Sequence, residues 1–147
     1  MDFKLTREQE LLRKTAAQFA ATYCEPEAAE LDETHEFLYD TWKKMAQVGL
    51  LRVNHGEKYG GIGHDPIGEM IVIEELSKAS LTHGATYALL GNGFPTFVEM
   101  FGTEEQKMEF IPPVLNDGMI GSFCLTEPDA GSDATGIRTT SRRDGDD

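Results

Sequence analysis

From Thr6 to Gly118 the chain offers five successive segments of helical period with no strand signal between them, and at Met119 that texture stops. Amphipathic segments in such a series must cover one another's apolar faces, so the pattern implies a helical bundle followed by something different. In the first segment Thr6 and Gln9 have the spacing of a capping box. Leu12, Ala16, Phe19, Ala20 and Tyr23 follow on one face, and the helix is expected to end before Pro26. Asp40 is the expected cap of the second, TWKKMAQVG, in which Leu38, Trp42, Met45 and Ala46 form a core-facing stripe and Gly49 supplies the left-handed stop.

Between Leu51 and Pro66 the glycines 56, 60, 61 and 63 mark a loop. YGGIG lacks a following Lys-Ser/Thr and the strand-to-helix context of a dinucleotide fingerprint, and His55 and His64 have no second ligand at metal spacing, so both are read as surface residues. Asp65-Pro66 then caps a third helix with Ile67, Met70, Ile71, Glu74 and Leu76 at helical period. The fourth segment, HGATYALLGNGFPTFVEMFG, is helical in tendency but interrupted by Gly91, Gly93 and Pro95. Thr103 and Gln106 open the fifth with a second capping box, Pro112-Pro113 are expected to break or kink it, and Asn116-Asp117-Gly118 closes it.

After that point MIGSFCLT reads as a short strand, GIRTTSRR as a second one, and Asp144-Gly145 as a hairpin turn with almost nothing after it. A strand without a partner leaves its backbone groups unpaired. The expectation is therefore a mainly α chain, with an N-terminal helical bundle at 1–118 followed at 119–147 by the first strands of a truncated β-domain that belongs to a longer protein.

Composition narrows the function classes. With 26 acidic against 13 basic residues the net charge is −13, which disfavours nucleic acid as a partner, since phosphate contacts need clustered Lys and Arg. The longest uncharged run, Ala79 to Val98, holds three glycines, a proline and several hydroxyl residues and makes a poor membrane span, and MDFKLTREQE is no signal peptide, so a cytoplasmic location is expected. Cys24 and Cys124 show no metal or C-x-x-C spacing; two reduced thiols and no metal site are expected.

The stretch LTEPDAGSD after the first expected strand has two readings on its residues alone. It is either an inter-strand loop whose Glu127, Asp129 and Asp133 face water, or a backbone shaped around a charged cofactor. In the second reading the strand edge offers N–H and C=O groups to a planar heterocycle, and Gly131 and Ser132 present amides and a hydroxyl to a phosphate or thioester oxygen.

FCLTEPDAGSDATGIRT resembles the flavin-binding signature of the acyl-CoA dehydrogenase family. MDFKLTREQELLRKTAAQFA, EKYGGIG, IGEMIVIEELSKAS and FGTEEQKMEFIPPVLNDG resemble the same family in the same order, so the likeness runs from Asp2 to about Arg143. It implies an N-terminal helical domain, a middle β-domain and a C-terminal helical bundle, FAD between domains, and tetramers. Phe123, Cys124, Leu125 and Thr126 would lie along the flavin ring, with Thr126 bonding its pyrimidine side and Gly131 shaping the turn. Ser132 would sit where FAD and the pantetheine arm of an acyl-CoA substrate approach each other.

The reaction implied is α,β-dehydrogenation of an acyl-CoA thioester, with hydride leaving to the flavin and electrons passing on to an electron-transferring flavoprotein. The family's catalytic glutamate lies in the C-terminal bundle, so no residue of this chain is catalytic, Glu127 included, and the 147 residues alone are expected to be inactive. By the same resemblance the helix from Ala85 to Gly91 lines the acyl pocket, making Thr86, Tyr87 and Leu90 candidates for chain-length selection; the bulk of Tyr87 points toward a short or polar acyl group. VNHG lacks the proline usual in that loop. The alternatives are an acyl-CoA oxidase, which shares this front half, and a non-catalytic helical interaction module.

Overall fold

A computed structural model describes residues 4–145. Its helices are α1 (Arg7–Phe19), α2 (Glu25–Thr34), α3 (Tyr39–Gln47), α4 (Pro66–Ala79), α5 (Leu81–Thr86), α6 (Phe94–Phe101) and α7 (Glu104–Asp117), with short 3-10 turns at Leu50–Arg52, Glu57–Tyr59 and Ala134–Gly136. The mainly α bundle holds. Among the described residues there is no β-strand and no helix long and apolar enough to cross a membrane.

Both capping boxes form: Thr6 accepts from the Gln9 N–H and Thr103 from the Gln106 N–H, while each glutamine side chain reaches back to its cap. The Asp65 carboxylate accepts the Gly68 N–H, and Gly49 takes the left-handed conformation at φ +79°. Asp40 does not cap α3, because the helix begins at Tyr39, two residues earlier than a cap at Asp40 would place it, with Leu38 at its N-cap.

Proline misleads at three places. α1 does not stop before Pro26; a π-helical turn at Ala20–Cys24 joins it to α2, with the Glu25 N–H bonded to the Ala20 carbonyl five residues back. A second wide turn, Tyr87–Gly93, joins α5 to α6, and Pro95 is again the second residue of the helix that follows. In both cases the ladder is reset just before the proline, so its missing N–H falls in the first turn of a fresh α-segment, where none is needed. α7 runs through Pro112 and Pro113 to Asp117, its far half held by burial of Ile111, Val114 and Leu115.

The core joins Ala16, Phe19, Ala20 and Cys24 to Leu38, Trp42, Met45, Leu50, Leu51, Val72, Leu76 and Tyr87, with α1 packed along α4 and α3 against α7. Each large side chain removed from water here stabilises the fold by about 1.5–3 kcal/mol. Trp42 also donates its indole N–H to the Gly118 carbonyl at 3.0 Å, tying α3 to the end of α7. α4 buries Gly68, Ile71, Val72 and Leu76 rather than the whole expected stripe: Ile67, Met70 and Glu74 face outward.

The segments expected as strands, MIGSFCLT and GIRTTSRR, form no ladder. An antiparallel strand exists only through a neighbour's N–H and C=O groups, and none lies beside them among the described residues. Gly145 adopts φ +69°, as the expected turn requires; Asp146 and Asp147 lie outside the described residues.

Candidate functional site

Two places carry the residues singled out by sequence. The first begins where α7 ends: Gly118 closes the helix in the left-handed conformation, and the Met119 N–H returns to the Pro113 carbonyl at 3.1 Å. Gly121 then passes over α6 so closely that a Cβ there would stand 2.1 Å from the Phe94 ring, which leaves glycine as the residue that fits. This contact sets Phe123 on Phe97, ring over ring at 4.1 Å, and Phe97 in turn stacks toward Phe101 at 6.4 Å.

Beside the stack lies an open cleft of about 540 Å³ lined mostly by Phe94, Phe97, Phe101, Phe110, Ser122 and Phe123. Sequence reasoning missed it, although Phe94, Phe97 and Phe101 at i, i+3, i+7 mark one face of a helix.

Ser122 through Thr126 are exposed, and among the described residues the backbone groups of Ile120 to Thr126 have no hydrogen-bond partner. Phe123, Cys124, Leu125 and Thr126 are thus displayed in succession on an open edge. The chain then tightens: Glu127 and Ala130 exchange backbone hydrogen bonds at 2.9 and 3.2 Å around Pro128-Asp129, and Ala130 is buried.

The Glu127 carboxylate reaches across to accept the N–H of Thr139 at 2.8 Å and of Arg138 at 2.9 Å. The Thr139 hydroxyl first, and then the N–H groups of Arg138 and Thr139, favour the ionised form and hold its pKa below the ordinary carboxylate value. Asp133 does the same locally, its pKa lowered first by the Thr135 hydroxyl and then by backbone N–H groups. These two carboxylates therefore close the loop on itself rather than only facing water. Gly131 and Ser132, between the two closures, are exposed, and nothing stands within 4 Å of where a Cβ on Gly131 would be.

The second place is the wide turn Tyr87–Gly93. Thr86 and Leu90 are half-buried, Leu90 against the core, while Tyr87 is fully buried with its hydroxyl donating to the Leu50 carbonyl at 3.0 Å. Burial pushes the Tyr87 phenol well above its usual range. Neither Thr86 nor Leu90 lines the aromatic cleft.

His55, expected on the surface, is completely buried, its Nε2 3.1 Å from the Gly91 carbonyl; His64 is exposed as expected. Sequence gave no signal for the burial of His55, because its partner stands 36 residues away. Cys24 is buried and Cys124 exposed, and both thiols are free. Among the described residues no group of three or more His, Cys, Asp or Glu could hold a metal ion.

Residues 6–117 match the family model for the acyl-CoA dehydrogenase N-terminal domain. The short-chain-specific acyl-CoA dehydrogenase of Clostridium acetobutylicum is 40% identical over 146 residues, which cover 99% of this chain and 38% of that one. Butyryl-CoA dehydrogenase of Megasphaera elsdenii superposes with a TM-score of 0.86 at 32% identity, covering 95% of this chain and 37% of that one. A chain solved in work on the electron transferring flavoprotein of Acidaminococcus fermentans superposes with a TM-score of 0.92 at 37% identity, covering 99% and 38%. The chain thus spans little more than a third of the length of these relatives. With the family's N-terminal model matched over residues 6–117, most of its length, the chain belongs to the acyl-CoA dehydrogenase family, whose N-terminal domain it carries.

Proposed function

We propose that this chain is the N-terminal part of an FAD-dependent acyl-CoA dehydrogenase that converts an acyl-CoA thioester to the 2-enoyl-CoA and passes electrons to an electron-transferring flavoprotein. The observation that carries this reading is the division of labour in TEPDAGSD. Glu127 and Asp133 are used up in holding the loop, while the edge Phe123–Thr126 and the turn Gly131–Ser132 keep their donors and acceptors available. A backbone arranged in this way fits a planar heterocycle along the edge and a phosphate or thioester oxygen at the turn.

When bound, FAD would supply the redox chemistry. Phe123, Cys124, Leu125 and Thr126 hold and orient it, with Thr126 offering a hydroxyl to its polar edge. Gly131 lets the backbone approach, and Ser132 donates at the junction with the substrate's pantetheine arm. Thr86 and Leu90 shape the acyl site, and Tyr87, buried beneath them with its hydroxyl on the Leu50 carbonyl, supports it from within the core.

No residue of this chain is the catalytic base. The complete protein is proposed to be a cytoplasmic homotetramer, with the beginning of a β-domain at residue 119.

The test is an anaerobic titration of the FAD-containing full-length protein with butyryl-CoA. Bleaching of the flavin is expected, with the 147-residue chain alone inert. Thr126→Val should weaken FAD binding about tenfold, the loss of one hydrogen bond. Oxygen uptake with peroxide release would replace the dehydrogenase by an oxidase, and failure to bind FAD would leave a helical interaction module.

A further inference from the structure

The wide turn that carries the candidate acyl-site residues is met by a side chain from the glycine loop far back in the sequence. The His55 ring stands at the Gly91 carbonyl, with Nε2 3.1 Å away. A carbonyl only accepts, so Nε2 must carry the proton, whether the ring is neutral or charged.

The backbone beneath the ring is fixed as well. Its backbone carbonyl accepts the Gly63 N–H at 3.0 Å, and a Cβ on Gly61 would stand 2.0 Å from that same oxygen, so the glycine loop lies flush against His55. Gly61 and Gly63 of the glycine loop thus serve as packing for this histidine. On its other edge Nδ1 is buried without a hydrogen bond, 3.7 Å from a carboxylate oxygen of Glu99 on α6, whose second oxygen lies 3.3 Å from Nε2 of exposed His64. Burial lowers the pKa of His55, against the smaller opposing effects of Gly91, Glu99 and Glu69.

A second bond joins the same two segments: the Tyr87 hydroxyl donates to the Leu50 carbonyl at 3.0 Å. Leu50 and His55 therefore clamp the wide turn at two points, at Tyr87 and at Gly91, with Leu90 between them.

We infer that His55 is a positioning residue for acyl-chain selection: its Nε2–H donates to the Gly91 carbonyl, fixes the Tyr87–Gly93 turn, and so sets where Leu90 stands. The selection clause rests on the acyl-CoA reading above; the clamp itself does not.

The experiment has two arms. Imidazole nitrogen NMR of the ¹⁵N-labelled chain should show Nε2 of His55 protonated at neutral pH; a bare Nε2 with the proton on Nδ1 would overturn the inference. His55→Gln keeps a donor at the Nε2 position, whereas His55→Leu keeps bulk without one. His55→Leu should shift the backbone resonances of Leu90 and Gly91, and His55→Gln should restore them; equal spectra for both variants and wild type would also overturn it.

In the FAD-containing full-length protein His55→Leu should change the ratio of kcat/KM for butyryl-CoA over octanoyl-CoA by about tenfold, with His55→Gln returning it toward wild type. An unchanged ratio beside a lost clamp would refute selection through His55. A wild-type protein that dehydrogenates no acyl-CoA would refute the proposed function and the selection clause together, and the NMR arm would still decide the clamp.

Discussion

The bundle of residues 4–118 and the segment of 119–145 are built on different principles. In the bundle, order comes from burial: Trp42, Met45, Leu50, Leu76 and Tyr87 each leave at most 1% of their surface to solvent. In the segment, order comes from a few directed contacts, the Phe123–Phe97 stack, the Glu127–Ala130 pair and the Glu127 and Asp133 carboxylates, with almost nothing buried. Burial consumes surface, whereas local hydrogen bonds shape a backbone while leaving its neighbours free to bind. That difference suits a scaffold carrying the recognition edge proposed at Phe123–Thr126.

Each region holds one cysteine, which gives the sharpest test of the contrast. Burial, aided by Glu27, pushes the Cys24 thiol up to about 12, while Cys124 is exposed. A disulfide reagent at neutral pH should label Cys124 at once and Cys24 only through opening of the bundle. If opening costs about 5 kcal/mol, the rates differ by more than about a thousandfold. Comparable rates for both would erase the distinction between the regions.

Trp42→Ala should lower stability by about 3–5 kcal/mol in urea unfolding, since it removes a fully packed indole together with its bond to Gly118. Gly121→Val tests the seam between the regions. The new side chain collides with Phe94, so a cost of about 1–3 kcal/mol is expected, together with loss of the ring-current shift that Phe97 imposes on Phe123. A full cost with the Phe123 shift retained would mean that Gly121 does not place the exposed edge Phe123–Thr126.

The smallest effect on global stability belongs to Glu127→Gln, which should leave the unfolding midpoint in place while amide exchange at Thr139 and Arg138 speeds up. Its folded-state pKa is depressed below 4.5, so the ordering it contributes is complete above that value and fades as pH falls through the folded pKa. Wild type should therefore acquire the variant's exchange pattern on acidification. A shifted midpoint would show that the loop supports the bundle after all.

Particular residues show what was legible in advance. Thr6, Thr103, Asp65 and Gly49 act as expected because a helix end is satisfied by residues within four positions of it. The core stripe of Leu38, Trp42, Met45 and Ala46 was equally readable from period. The sequence leads one to expect an end before Pro26, an interruption at Pro95 and a break or kink at Pro112-Pro113. Wide turns absorb the first two, and buried packing carries α7 through the last pair. The aromatic cleft could be half seen, since its α6 stripe is local but Phe110 and Phe123 come from elsewhere in the chain.

What the sequence by itself determined is therefore the bundle with its caps and the polar, turn-forming character of TEPDAGSD, because ladders, caps and tight turns are satisfied within a few residues. Tertiary structure alone decided that His55 is buried against Gly91, that the Tyr87 hydroxyl reaches Leu50, that Glu127 binds Thr139 and Arg138, and that MIGSFCLT remains without a ladder. Each of these depends on a donor or acceptor 11 or more residues away, or on a partner strand, and no local pattern specifies where such a group will stand.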